Sequence, residues 1–320
     1  MTRSLVTGGA GFIGSHMAEA LVEKGERVRI LDDFSTGLLS NLRAVENKIE
    51  IVRGSIVHPA IVRKAMKGID YVFHTAAIRA VERSVDKPEE THAVNVTGTL
   101  NILLAAREEN VKRVIFSSSS AVYGDVKKFP SKETDWPAPA SPYGVSKLVG
   151  EQYCRLFSKL YGVDTVSLRY FNVFGPRQNV ESKYSLVIPI FMYCLIHGRS
   201  SEIHWDGHQS RDFAYIDNII SGNLKARACK RKLLGSVFNI SAQEEYSVLD
   251  IFNELKRLLN KPSAQAAFKP KRPGDVRRTF SDISKAKRLL GFKVQTRFSE
   301  GLQKTAEWFL KPGSLRIITV

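Results

Sequence analysis

The stretch SLVTGGAGFIG, residues 4–14, decides the fold of this chain. A short apolar run leads directly into the glycines Gly8, Gly11 and Gly14, and an apolar helical pattern follows them. Glycines at this spacing let the backbone turn tightly and approach a pyrophosphate, while the N-terminus of the next helix faces the anion. The stretch therefore predicts a strand, a dinucleotide-binding turn and a helix.

Two acids at the end of the second predicted strand, Asp32 and Asp33, indicate which dinucleotide binds. Asp32 follows Gly14 by 18 residues, and a carboxylate near this distance accepts hydrogen bonds from the adenosine ribose. Such a carboxylate also repels a 2′-phosphate, so the sequence predicts NAD rather than NADP as the cofactor.

Apolar runs alternate with helical patterns through the first half of the chain. Near-continuous apolar runs are typical of buried parallel strands, and helices between them cover both faces of a sheet. The predicted strands are residues 4–7, 27–31, 49–52, 71–74, 113–116, 165–170 and 237–241. The predicted helices are residues 12–25, 59–68, 88–110, 143–162, 188–197 and 246–260. The fold class is therefore α/β, a doubly wound parallel sheet of the Rossmann type.

The pattern changes after Asn172, where Gly, Pro, Asn and Gln become frequent. We predict an NAD-binding domain over residues 1–172, to which segments within about 212–241 return. A smaller C-terminal α/β lobe, residues 173–320, is predicted to bind the substrate.

Composition limits the possible classes of protein. The net charge is +16, but the basic residues form no polybasic tail and no stripe interleaved with aromatic residues, so we expect no nucleic-acid partner. The three cysteines show no disulfide or metal-site spacing. The sequence shows neither a signal peptide nor an apolar run long enough to span a bilayer, so we expect a cytoplasmic protein with no membrane partner.

The segment YGVSK places Tyr143 and Lys147 four residues apart on a predicted helix. Side chains at this spacing share one helix face, so the ammonium is expected to lower the pKa of the tyrosine. A tyrosine activated in this way takes a proton from a substrate hydroxyl while hydride leaves the same carbon.

With these motifs, the chain resembles the extended short-chain dehydrogenases of the NAD-dependent epimerase/dehydratase group. The resemblance covers nearly the whole chain and includes HTAAIRAV (74–81), NVTGT (95–99), RYFNVFGPRQ (169–178), SRDFAYIDN (210–218) and RPGDVRRTF (272–280). It implies an NAD domain, a lobe that binds a sugar nucleotide, and a homodimer.

The resemblance also implies roles for single residues. Tyr143 is implied as the catalytic base, Lys147 as its activator and a holder of the nicotinamide ribose, and Ser119 as the hydroxyl that bridges the sugar C4 oxygen and the tyrosine. Further contacts to NAD are implied for Phe12, Ile13, Ser55, Ile56, Ala76, Ala77, Arg79, Asn95, Ser117, Ser118 and Tyr170. Contacts to the UDP-sugar are implied for Arg79, Ser120, Asn172, Leu186, Val187, Gln209, Arg211, Arg272, Asp275 and Thr279.

Two positions depart from the family pattern. Ser55 stands where an aspartate is frequent, which removes a carboxylate partner of the adenine amino group. Trp205 stands where a glycine is frequent, in the stretch before SRDF, which alters the wall on the uracil side. Neither position touches the expected chemistry.

The serine run FSSSSAVYG, residues 116–124, indicates the reaction. Similar enzymes that dehydrate or decarboxylate a 4-keto sugar place acids in this strand, because chemistry at C5 or C6 needs a further acid or base. Here the run offers hydroxyls and a methyl group. The expected reaction is therefore 4-epimerisation, in which C4 is oxidised and then reduced on its opposite face without net redox change.

The identity of the sugar rests on Thr279. In similar epimerases a tyrosine at this position restricts the site to plain hexoses, whereas a small residue admits an N-acetyl group. We expect UDP-N-acetylglucosamine and UDP-N-acetylgalactosamine, and also UDP-glucose and UDP-galactose. The alternatives are a UDP-glucuronate 4-epimerase, another epimerase of nucleotide sugars, and an NAD-binding regulatory or RNA-binding protein without catalytic activity.

Overall fold

The computed structural model describes residues 1–79, 81–181, 186–271, 275–311 and 317–318. Their strands are, in chain order, β1 (Arg3–Thr7), β2 (Arg27–Asp32), β3 (Ile49–Arg53), β4 (Tyr71–His74), β5 (Arg113–Ser119), β6 (Thr165–Tyr170), β7 (Val173–Phe174), β8 (Val180–Glu181), β9 (Ser201–His204), β10 (Ser210–Asp212), β11 (Ala214–Tyr215), β12 (Ser236–Ile240), β13 (Glu245–Ser247), β14 (Ala266–Lys269), β15 (Arg278–Thr279) and β16 (Ile317–Ile318).

The helices pack around these strands. In chain order they are α1 (Phe12–Glu23), α2 (Pro59–Met66), α3 (Val81–Asp86), α4 (Pro88–His92), α5 (Gly98–Glu108), α6 (Pro142–Tyr161), α7 (Val187–Ile196), α8 (Ile216–Ala228), α9 (Val248–Leu258), α10 (Ser284–Leu290) and α11 (Phe298–Phe309). A π-helical turn, Ala93–Thr97, joins α4 to α5, so the helix predicted over 88–110 has a distorted centre. No helix of the described residues has both the length and the apolar character needed to cross a membrane.

The central sheet has seven strands in the order β12-β6-β5-β4-β1-β2-β3. All neighbouring pairs are parallel, and all seven predicted strands lie in this sheet, which confirms the predicted fold class. The chain order reverses between β1 and β4. In doubly wound sheets, ligands bind beyond the carboxyl ends of the strands at such a reversal. The site is therefore expected where the loops after β1 and β4 meet.

Apolar side chains cover both faces of the sheet. Val6 and Ile30 point into a core shared with α1, α8 and the C-terminal lobe. Their chain neighbours Leu5 and Leu31 point to the opposite core, formed with α2, α5 and α6. Because successive side chains of a strand alternate between faces, burial on both faces produces the continuous apolar runs of the sequence.

The C-terminal lobe is built from small sheets beside the central one. The strands β13, β10 and β15 form a three-stranded sheet, and β14 pairs with β9. In the three-stranded sheet, Arg211 lies opposite Thr279 in register. The boundary between the two domains at residue 172 stays a prediction.

Candidate active site

The turn after β1 has a shape that fits a dinucleotide. Gly8 has a φ of +65°, and a Cβ on it would lie 2.7 Å from the Cα of Ala76 in the loop after β4. A Cβ on Gly14 would lie 2.2 Å from the carbonyl oxygen of Gly8. Helix α1 begins after Gly11 without a side-chain cap, so its first N–H groups can face an anion. These residues fit the pyrophosphate of NAD, with Phe12 and Ile13 in the first turn of α1.

The acid Asp32 fixes the same turn. Its carboxylate accepts the N–H groups of Ala10 and Phe34, each at 2.8 Å. Burial is the main reason that the pKa of Asp32 is raised. Asp33 is exposed and accepts both the N–H and the hydroxyl of Ser35. Asp32 therefore shapes the turn in addition to the ribose contact predicted for it.

The loop after β4 is held by Asn95. The side chain of Asn95 accepts the N–H of Ile78 at 2.8 Å and donates to the carbonyl of Ile78 at 2.9 Å. It also donates to the hydroxyl of Ser146 at 3.0 Å, and that hydroxyl donates to the carbonyl of Tyr143. Asn95 thus joins the loop of Ala76, Ala77 and Arg79 to the helix that carries the predicted base.

Lys147 lies between α6 and the end of β5. A Cβ on Gly150 would lie 2.4 Å from the ring of Phe116, so this glycine allows α6 to pack closely on β5. Lys147 is buried, and its ammonium donates to the carbonyl of Ser117 at 2.8 Å. Burial lowers the pKa of Lys147 to about 8. The ammonium remains largely protonated at neutral pH.

The side chain of Tyr143 lies near the hydroxyl of Ser119. Burial raises the pKa of Tyr143, while the hydroxyl of Ser119 and the charge of Arg79 act in the opposite direction. The ammonium of Lys147 lies 5.9 Å from the centre of the tyrosine ring. Burial outweighs the influences of Ser119 and Arg79, so the pKa of Tyr143 is raised in this structure. The lowering of that pKa by Lys147 stays a prediction.

The hydroxyls of the serine run face different partners. Ser117 contacts the hydroxyl of Tyr170 at 3.2 Å, and Ser118 donates to Glu151 at 2.5 Å. Ser119 accepts the N–H of Ala121 at 3.1 Å and lies near Tyr143, whereas Ser120 begins a short 3-10 turn. Ser119 is thus the hydroxyl of the run that lies beside the predicted base.

Four of the predicted substrate residues form one cluster. The side chain of Asn172 donates to the hydroxyl of Thr279 at 3.1 Å. Arg211, opposite Thr279 in register, donates to the carboxylate of Asp275 at 2.5 Å. Gln209 is buried, and its amide donates to the carbonyl of His204.

The remaining predicted residues lie around this frame. Ser55 and Ile56 follow β3, Leu186 and Val187 stand at the start of α7, and the hydroxyl of Tyr170 bonds to Asn223. Arg272 lies outside the described residues. Trp205 has a φ of +64°, a conformation that favours glycine, and this explains the glycine frequent at its position.

Two residues of the site were missed by the sequence analysis. Glu151 lies four residues after Lys147, a spacing that could have indicated a shared helix face. His74 is the polar residue that ends the apolar run of β4; it contacts the hydroxyls of Thr7 at 2.7 Å and Thr99 at 3.0 Å. Thr7 also accepts the N–H of Ala76, so His74 lies directly behind the cofactor loop.

Known proteins are similar to this chain over nearly its whole length. The model of the NAD dependent epimerase/dehydratase family matches residues 4–241. A UDP-glucose 4-epimerase from Mycolicibacterium smegmatis is 36% identical over 312 residues, which cover 96% of this chain and 98% of that protein. These matches confirm three predictions: the family that the sequence resembles, that the protein is an enzyme, and that its cofactor is NAD.

Solved structures show the same similarity. A UDP-N-acetylglucosamine 4-epimerase from Methanobrevibacter ruminantium, in complex with UDP-N-acetylmuramic acid, has a TM-score of 0.91 and 37% identity, covering 97% of this chain and 98% of that one. A UDP-glucuronic acid 4-epimerase from Bacillus cereus, in complex with UDP-glucuronic acid and NAD, has a TM-score of 0.90 and 34% identity, covering 96% and 99%. The relatives thus share the reaction type and differ in the sugar.

Proposed function

Because this chain belongs to the NAD dependent epimerase/dehydratase family, we propose that it is a UDP-sugar 4-epimerase. One observation carries the proposal: the phenol of Tyr143 lies near the hydroxyl of Ser119, and the two residues after Ser119 are Ser120 and Ala121 rather than acids. The carboxylate that reaches the serine run, that of Glu151, is buried in an ion pair with Arg169. Among the described residues, the site therefore offers proton transfer at C4 and places beside the serine run no further acid of the kind that elimination or decarboxylation needs.

The proposed proton path runs through two side chains. Ser119 receives the C4 hydroxyl of the sugar, and Tyr143 takes its proton and later returns it. Lys147 places a positive charge beside the tyrosine that favours the phenolate when the proton moves. NAD, held by the glycine turn and Asp32, supplies the hydride acceptor and donor when bound.

The cluster of the C-terminal lobe is proposed to hold the nucleotide. The guanidinium of Arg211 suits phosphate oxygens because its planar fork donates two parallel hydrogen bonds. The side-chain oxygen of Gln209 is buried and has no hydrogen-bond partner among the described residues. A buried acceptor without a partner is costly, and the imide N–H of a uracil would satisfy it. We assign the diphosphate to Arg211 and Asn172, and the nucleoside to Asp275 and Gln209.

The preferred sugar is proposed from Thr279. Its side chain is small, partly buried and hydrogen-bonded to Asn172, and a side chain of this size is expected to admit an N-acetyl group beside the sugar. We therefore propose UDP-N-acetylglucosamine and UDP-N-acetylgalactosamine as substrates, with UDP-glucose and UDP-galactose also accepted. Product analysis after incubation with these sugars and UDP-glucuronate decides the point; turnover of UDP-glucuronate alone would overturn it.

The decisive variant for the reaction is Tyr143→Phe. It should lower kcat roughly 10²- to 10⁴-fold, the usual contribution of general acid–base catalysis, while NAD binding measured by calorimetry persists. Tyr153→Phe, on the same helix, is the matched control and should keep wild-type turnover. If the protein only binds NAD, as a sensor or an RNA-binding factor would, the wild type and both variants should show no turnover.

A homodimer is proposed from the outer face of α6. Val145, Leu156 and Leu160 are exposed and lie on one side of this helix, since spacings of 11 and 4 residues return to the same face. An exposed apolar stripe on one helix fits a second copy of the chain. Light scattering should give twice the chain mass, and Leu156→Glu should give a monomer; a wild-type monomer at micromolar concentration contradicts the proposal.

A further inference from the structure

The buried ion pair of Glu151 and Arg169 takes no part in the proton path. Two hydrogen bonds join the side chains, from Nε of Arg169 at 2.8 Å and from its Nη2 at 2.7 Å. Only 2% of the glutamate and 4% of the arginine side chain are exposed. Burying such a pair costs several kcal/mol of desolvation per ion, so its place directly behind the site needs a reason beyond stability.

The pair is bonded to the serine run. Oε1 of Glu151 accepts the hydroxyl of Ser118 at 2.5 Å, next to Ser119 in β5. Ser118, Arg169 and Asn239 lie opposite one another on β5, β6 and β12. A single carboxylate from α6 therefore ties two neighbouring strands at the level of Ser119.

The same carboxylate is fixed relative to the proposed base. Glu151 follows Lys147 by four residues and Tyr143 by eight, so the three side chains project from one face of α6. The far side of Arg169 is fixed as well, because its guanidinium lies 4.6 Å from the centre of the Tyr123 ring. The hydroxyl of Tyr123 donates to Asn239 at 2.7 Å.

We propose that Glu151, paired with Arg169, is a positioning residue for the reaction: it holds Ser118, and through it Ser119, at the level of Tyr143, and it sets the charge around Lys147. This inference rests on the proposed function. The pair of Glu151 and Arg169 explains how a carboxylate orients a serine run that itself contains no acid. This carboxylate comes from α6 and stays out of reach of the sugar.

The charge of Glu151 acts on Lys147. The charged or titratable groups that face this lysine are Tyr143, Glu151 and Cys154 on α6, His74 on β4 and, behind Glu151, Arg169 on β6. Burial lowers the pKa of Lys147 to about 8, and the carboxylate opposes that effect. Removing the negative charge should lower the pKa of Lys147 further, whereas removing the positive charge of Arg169 should raise it.

The first experiment measures kcat and KM against pH for Glu151→Gln and Arg169→Met. Misplacement of Ser119 should lower kcat about 10- to 100-fold in each variant with little change in KM. The alkaline limb of the profile should move down by about one pH unit in Glu151→Gln and up in Arg169→Met. Asp164→Asn is the matched control, because it breaks a buried ion pair with Arg113 at the amino-terminal ends of β5 and β6, far from the serine run. It should change neither kcat nor the alkaline limb.

A second experiment separates position from charge and does not depend on turnover. Ser118→Ala removes the hydroxyl but keeps the ion pair, so it should lower kcat about 10-fold without moving the limb. The pKa of Lys147 is read by NMR of ¹³C-lysine, with the resonance assigned by its loss in Lys147→Met. An unchanged lysine pKa and an unchanged kcat in folded Glu151→Gln would overturn the inference. If no UDP-sugar is turned over by the wild type, the proposed function fails, and the NMR titration still tests the charge effect. Should Glu151→Gln not fold, Ser118→Ala and Arg169→Met keep both arms testable.

Discussion

Two buried arginine–carboxylate pairs lie at opposite edges of the same sheet and serve different ends. Arg113 and Asp164 lie at the amino-terminal ends of β5 and β6, which we call the amino edge of the sheet. Their charged atoms are 2.7 Å apart. Arg169 lies near the carboxyl-terminal end of β6, at what we call the carboxyl edge. Its Nη2 is 2.7 Å from Oε2 of Glu151. Their distances and burial are similar, so the difference must lie in what else each pair contacts.

The amino-edge pair binds backbone. The guanidinium of Arg113 donates to carbonyl groups at the end of α8 and just beyond it, those of Ala226, Arg227, Cys229 and Arg231. The other oxygen of Asp164 accepts the N–H groups of Leu233 and Leu234. This pair therefore closes the α8–β12 connection and stabilises the fold.

The carboxyl-edge pair binds side chains instead. Glu151 accepts from Ser118, Arg169 stacks on Tyr123, and Nη1 of Arg169 is buried without a hydrogen-bond partner among the described residues. An incompletely satisfied pair is a poor source of stability. The amino edge therefore serves stability, whereas the carboxyl edge holds the groups of the proposed reaction.

The largest expected effect tests the amino edge. Arg113→Met leaves the Asp164 carboxylate buried without its charge partner and several carbonyls without a donor. It should lower the free energy of unfolding by about 3–5 kcal/mol, measured by urea denaturation. The fraction that remains folded should keep wild-type kcat and pH dependence at low temperature. A change of kcat like that expected for Arg169→Met would break the distinction between the two edges.

A second prediction concerns His74 at the carboxyl edge. Thr99 donates to the carbonyl of Asn95, so its oxygen accepts from Nε2 of His74, which leaves Nδ1 to accept from Thr7. Burial lowers the pKa of His74 to about 3. Below pH 6.5 the imidazole of His74 is protonated in the unfolded chain but stays neutral in the folded chain. As the pH falls, the free energy of unfolding therefore decreases by up to about 1.4 kcal/mol per pH unit.

His74→Asn should remove that contribution to the slope. At pH 7.5 it should cost about 1–3 kcal/mol, because the hydroxyl of Thr99 loses its donor, and this cost should shrink as the pH falls toward 5. NAD affinity should weaken about tenfold, since Thr7 also orders Ala76. Thermal unfolding across pH and calorimetry with NAD measure both effects. A cost that stays constant with pH would show that His74 has the same pKa in the folded chain as in the unfolded chain.

The sequence allowed the sheet to be predicted, and also the helix that carries both Tyr143 and Lys147, because both signals are local. The catalytic roles of these two residues stay predictions. Strands buried on two faces are continuous apolar runs, and Tyr143 and Lys147 share a face through their spacing alone. The pairs of the two edges were not predicted, since Ser118, Arg169 and Asn239 meet only through strand register. Helix α8 was missed because buried asparagines interrupt its apolar pattern; Asn218 bonds to the backbone of Gln295 and Thr296. The pKa of Tyr143 depends on burial, which spacing does not report.

Leu234 is a strained residue of the amino edge at which only a small effect on stability is expected. Leu234, whose N–H bonds to Asp164, has a φ of +50° and a side chain of which 58% is exposed. A left-handed conformation costs a residue with a Cβ roughly 1–2 kcal/mol, part of which glycine offsets by its freedom in the unfolded chain. Leu234→Gly should therefore raise the free energy of unfolding by about 0.5–1 kcal/mol, because little apolar contact is lost. Leu289→Gly, inside α10 and also exposed, is the control and should lower the free energy of unfolding by about 1 kcal/mol.

Neither variant should change kcat or the alkaline limb, since strain at the amino edge is relieved without moving Ser119, Tyr143 or Lys147. A change of kcat in Leu234→Gly would instead show that the two edges are mechanically coupled.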